Sequence, residues 1–218
     1  MELRRLLSWC TLAAAAFGVI EAAVVVYLRA ISYPEGFAFP LKEIPRPLLV
    51  TELVREAATL LLLLGIAGLA VRGTLRRFAV FAYCFGIWDL VYYLGLKLFL
   101  GWPESLLTYD VLFLIPAPWT APVLAPVLVS LALVAAAVIL LRLPAGGASF
   151  LRPVDWLIEI LAGLVILASF FWNLPAVGAG EVPGSYPWWL FLLGYGAGIA
   201  WFGWRLRMAP TEARRSLR

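Results

Sequence analysis

Apolar residues dominate the chain in long blocks separated by short polar or proline-rich stretches. The blocks run over residues 6–28, 48–71, 78–100, 119–141, 154–172 and 188–204. Each is near the roughly 20 residues that an α-helix needs to cross a hydrocarbon core of about 30 Å. The pattern predicts an all-α, polytopic bundle of six transmembrane helices in one integral membrane domain over residues 1–218. The stretch 101–118, GWPESLLTYDVLFLIPAP, is too punctuated for a crossing but apolar enough for the membrane surface. It is expected to fold back as a short interfacial helix between Pro103 and Pro116, placed to lid the carboxylate layer, with Glu104 and Asp110 at the rim. Pro122 and Pro126 interrupt the start of the fourth block, where a kink or a broken helix is expected.

Composition agrees with that class. Hydrophobic residues make up 64% of the chain and charged residues 14%, against about 25% in soluble domains. Twelve of the Lys and Arg residues flank one set of helix ends, including Arg4, Arg72, Arg77, Arg142 and Arg205, and three (Arg29, Lys42, Arg46) fall in the first loop on the other side. The positive-inside rule then places both termini in the cytoplasm. Tryptophans at both sets of ends form the expected interfacial belts. The first block follows Arg4 and Arg5 as a signal peptide would, but its length marks it as a retained helix. Cys10 and Cys84 sit near cytoplasmic helix ends and read as packing residues, not a disulfide. The net charge of +4 and the arginine-rich tail from Arg205 to Arg218 imply contact with anionic lipid and no nucleic-acid binding.

Ionisable residues inside the apolar blocks carry the functional signal. Glu21, Glu52, Arg55, Glu56, Asp89 and Lys97 all lie within or at the edge of the first three spans. At about 2.5–3.5 kcal/mol each, six such groups facing lipid would cost about 15–20 kcal/mol, so they must face one another, water or a ligand. At 1.5 Å per residue, Glu21 and Glu56 lie about 12 Å, and Asp89 about 16 Å, below the outer ends of their spans. Alternating topology brings the three to one layer. Glu52, Arg55, Glu56 and Thr59 share one helix face, and Asp89, Tyr92 and Tyr93 share another with Lys97 at its edge. Four acids against two bases leave a negative excess that a shared proton or a bound cation would balance.

That site supports three classes of function. The first is binding or passage of a proton or cation, with Glu21, Glu56 and Asp89 as inner ligands, Glu52 at the entrance, and Arg55 and Lys97 tuning the charge. The second is a lipid-processing enzyme that uses a carboxylate with or without Mg. The third is a non-catalytic subunit or assembly factor in which the charges are internal clasps. Any metal would be Mg, Ca or a monovalent cation held by Glu21, Glu56 and Asp89. The absence of histidine from the chain excludes the usual zinc and haem sites. Gly194 and Gly198 form a GxxxG pair suited to close helix packing within the bundle, or to a homo-oligomer or larger membrane complex. Asp155 and Glu159 open the fifth span, where Arg152 or the basic tail can pair with them.

The segments FGIWDLVYY (85–93), GWPESL (101–106), LFLIPAPW (112–119) and VREAAT (54–59) resemble uncharacterised bacterial polytopic membrane proteins without an assigned activity. The resemblance spans residues 21–130. It implies a multi-pass fold and transfers no catalytic residue.

Overall fold

The computed structural model describes residues 3–42, 44–143 and 150–210. The expectation for the arginine-rich tail falls largely on Thr211–Arg218, outside the described residues. Six long helices occupy the six apolar blocks: α1 (Leu3–Ser32), α2 (Arg46–Ala70), α3 (Thr74–Leu100), α4 (Leu124–Arg142), α5 (Pro153–Phe170) and α7 (Trp188–Arg207). A single turn, α6 (Leu174–Gly178), lies between the last two. Five of the helices are long and apolar enough to cross a membrane, so the chain is an integral membrane protein. The sixth, α7, has the length, but its four tryptophans and four glycines dilute its hydropathy.

The interfacial helix expected over 101–118 is absent. A two-stranded antiparallel hairpin, β1 (Tyr109–Phe113) and β2 (Trp119–Pro122), takes its place, with Asp110 opposite Ala121 and a register shift between Val111 and Phe113. The residues explain the correction: aromatic and β-branched side chains at Tyr109, Val111, Phe113, Trp119 and Thr120 favour strand, and Pro116 and Pro118 favour the turn. The first four residues of the expected fourth span therefore belong to β2, and the helix starts at Leu124. Pro122 ends the strand and Pro126 lies in the first turn, where a helix has no partner for its N–H, so neither proline kinks α4.

Glycines decide how closely the helices approach. A Cβ at Gly18 would stand 2.6 Å from the Trp88 carbonyl oxygen, and one at Gly86 would stand 2.7 Å from that of Ser130. Both contacts would be forbidden to any other residue, so α1 and α4 seat directly on opposite flanks of α3. Likewise a Cβ at Gly194 would lie 2.7 Å from the Ala162 carbonyl oxygen, and one at Gly198 would lie 3.2 Å from Glu159. The GxxxG face expected to serve packing in the bundle or between copies is occupied by α5 of the same chain. The main core runs along α1, α3 and α4 and includes the free, buried Cys10 and Cys84. A second cluster around Phe191 ties Ala121 of β2 to α5 and α7.

Candidate functional site

Gly18 and Gly86 each lie one turn before an acid. By pressing α1 and α4 onto α3 they bring Glu21, Asp89 and Ser130 into one buried zone. Across it stands α2, whose stripe of buried residues, Glu52, Glu56, Thr59, Leu63 and Ala67, follows the helical repeat. The space between is a cavity of about 130 Å3. Its walls carry Glu21, Glu52, Arg55, Glu56, Asp89, Tyr92 and Tyr93, and the hairpin closes it from Asp110 to Leu114. That volume holds several water molecules, each needing roughly 10–15 Å3 by the same measure.

Every charged group here has a distinct set of partners. Arg55 clasps Glu52 through Nε at 3.0 Å and through Nη2, while its Nη1 donates to Glu21. The Thr59 hydroxyl donates to the other Glu21 oxygen at 3.4 Å. Glu56 receives no guanidinium. Both of its oxygens lie 2.9 Å from the backbone N–H of Leu114, at the hairpin turn. Asp89 accepts from the Ser130 hydroxyl at 2.7 Å. Trp88 stacks on Tyr92, 6.4 Å between centroids, and completes an aromatic wall with Tyr93 and Phe113.

Two members of the site lay outside the predicted set. Arg29, expected in the first loop, is instead buried in the last turn of α1, which continues two turns beyond Val25. Its Nη2 donates to Asp110 Oδ1 at 2.9 Å, and the guanidinium lies 3.8 Å from the Trp102 ring and 4.4 Å from that of Phe37. Asp110, expected at the rim of the outer segment, is 1% exposed. Burial pushes its carboxyl up to about 6, against the opposing pull of Arg29 and of the Val111 backbone N–H. A signal for Arg29 existed in the spacing Glu21, Val25, Arg29, which keeps one helix face. Nothing in the local pattern announced that Asp110 would meet it.

Lys97 departs from expectation. Its Nζ donates to the carbonyls of Gly101 and Pro103 at 3.0 and 2.8 Å, capping the C-terminus of α3, and it takes no part in the cavity wall. The chain turns there because Gly101 adopts φ 68°, a left-handed conformation that suits glycine and ends the helix. The cavity lining thus holds five acids, with Arg29, Arg55 and an exposed Lys42 at its mouth as the bases. Glu56 and Asp89 are the two acids of the lining that form no ion pair among the described residues. Among the described residues, no three acids or cysteines converge on one point as a metal centre requires.

On the opposite side of the bundle, Asp155 caps α5 through the Arg152 N–H and pairs with Arg205 of α7 at 2.9 Å. Trp201 donates to its other oxygen at 3.1 Å. This cluster fastens α7 to α5 and stands apart from the cavity. No protein-family model, curated protein or solved structure matches the chain.

Proposed function

We propose that the cavity between α1, α2, α3 and the hairpin binds and releases a proton or a small cation. The observation that carries this reading is that Glu56 and Asp89, both buried, face the cavity with only neutral hydrogen-bond donors. Two buried carboxylates in that condition are costly unless something neutralises them, because an unpaired charge inside a protein forfeits several kcal/mol. A proton does so at least disturbance. The Ser130 hydroxyl can donate to an ionised Asp89 and accept from a protonated one, so the site stays hydrogen-bonded in both states. Arg29 offsets Asp110, and Arg55 offsets one of the two glutamates it clasps, Glu21 and Glu52, so negative charge remains in excess and exchange falls most readily on Glu56 and Asp89, which no guanidinium touches. Several waters fit in the cavity to relay the ion. The asymmetry of positive charge supports an orientation with both termini in the cytoplasm of a bacterial cell and the hairpin on the far side of the inner membrane.

Thermal stability of the purified protein in detergent tests the reading, measured from acidic to alkaline pH and with Na, K, Mg or Ca added. An occupant that binds only the folded state raises stability with the logarithm of its concentration once that exceeds Kd. The expected result is a stability that depends on pH or on one cation in the wild type, and a dependence that shrinks in Glu56→Gln and Asp89→Asn toward what Asp110 alone contributes. Equal stability under all conditions, with both substitutions merely destabilising, would leave the carboxylates as internal clasps.

A further inference from the structure

The helix α2 is held in two different ways along its length. Its half toward the basic side packs by apolar contact: Leu63 and Ala67 are fully buried in the main core, with Ile66 and Ala70 against it. Toward the hairpin the buried residues are Glu52, Glu56 and Thr59, and no described residue of α2 before Leu63 belongs to any apolar cluster. That half is fastened by Arg55 to Glu21, by Thr59 to Glu21 and by Glu56 to the Leu114 N–H. Its outer face is open to the bilayer at Val50 and Val54. Just beyond Leu63, inside the apolar half, stand Gly65 and Gly68, where an added Cβ would meet nothing within 4 Å. Glycine there weakens the helix by roughly 1 kcal/mol relative to alanine and leaves room to bend.

From this division we infer that the hairpin-side half of α2 is a movable wall of the cavity, with Arg55 as its bolt. Apolar packing is indifferent to what the cavity holds, whereas each tie on this half ends on a cavity carboxylate or crosses to one. A change of occupant at Glu56 therefore changes the grip on the wall directly, and the wall opens the seam between α1 and α2, which few close contacts bridge. The inference rests on the proposal that the site exchanges an occupant, and it adds the route.

Spin-label distances test it in full-length protein with Cys10 and Cys84 replaced by alanine. One label pair, Val50→Cys with Leu193→Cys, reports the hairpin-side half of α2 against α7; a reference pair, Leu69→Cys with Leu157→Cys, reports the other half against α5. All four sites are exposed. In Arg55→Gln the first pair is expected to lengthen and broaden by several ångströms while the reference pair keeps its distance. Thr59→Val and Glu56→Leu each cut one tie and serve if Arg55→Gln does not fold; each is expected to broaden the first pair only. Unchanged distances in every folded variant, or both pairs moving together, would overturn the movable wall. A moving first pair in a protein whose stability ignores pH and cations keeps the wall and discards the proton or cation as its occupant. The reverse combination keeps the occupant and discards the wall.

Discussion

At the residue scale, the paired Arg29 and Asp110 show how a buried charge is made tolerable. The guanidinium is flanked by Trp102 and Phe37 and its charge is met by Asp110, so neither ion is left alone in the interior. Removing one partner of a buried pair typically costs about 3–5 kcal/mol, and Asp110→Asn is expected to lower stability on that scale, measured by denaturation in detergent. The same variant reports the protonation of Asp110. Its carboxyl binds a proton more tightly folded than unfolded, so its contribution to stability is complete below its ordinary 3.8 and is lost as pH rises through about 6. The stability deficit of Asp110→Asn against wild type is therefore expected to shrink as pH rises over that interval. A difference independent of pH would show that Asp110 stays ionised throughout. Arg29 was legible only in part: its spacing from Glu21 pointed inward, but the basic flank of a membrane span hid it among orientation charges.

Among the elements, the close seats of α1 and α4 on α3 rest on single glycines. Gly86→Ala puts a methyl 2.7 Å from the Ser130 carbonyl oxygen, and Gly18→Ala puts one 2.6 Å from that of Trp88. Each is expected to cost about 1–3 kcal/mol as the helices are forced apart, with Gly86→Ala also disturbing the Asp89–Ser130 bond. Gly163→Ala in α5, where nothing lies within 4 Å, is the control and is expected to be neutral or stabilising by up to about 1 kcal/mol. Melting temperatures in detergent compare the three; equal effects would contradict the packing account. Helices α1, α2, α3 and α5 were legible because hydropathy blocks of this length have few alternatives in lipid. The hairpin was not, since its nine strand residues are interrupted by a turn with two prolines, Pro116 and Pro118, and its short apolar runs fit a strand or a surface helix equally well. Its identity depends on tertiary cover: Asp110, Thr120 and Ala121 are buried between the two halves of the molecule, where its backbone can do without water.

For the whole molecule, two charge distributions set the frame. Basic residues gather at one end of the bundle and the buried acids toward the other, which the linear sequence already displayed. Orientation is checked by labelling single cysteines in intact cells with a membrane-impermeant thiol reagent: Leu107→Cys, in the loop before the hairpin, is expected to react, and Leu69→Cys, at the far end of α2, to stay protected until the membrane is opened. The reverse order would turn the molecule over. The layer holding Glu21, Glu56 and Asp89 was also foreseeable, because depth counting along alternating spans fixes height. Their partners were not, since which neighbour Arg55 takes depends on helix rotation and separation, and it clasps Glu52 and Glu21 while leaving Glu56 to the hairpin. The central claim is that Glu56 or Asp89 carries an exchangeable proton or yields it to a cation. Infrared difference spectroscopy of the carboxylic C=O stretch reads this directly. A band from a protonated carboxyl that shifts in heavy water, falls on raising the pH or adding the bound cation, and vanishes in Asp89→Asn or Glu56→Gln is the predicted result; a spectrum without such a band, unchanged by pH, by cations and by both substitutions, would contradict it.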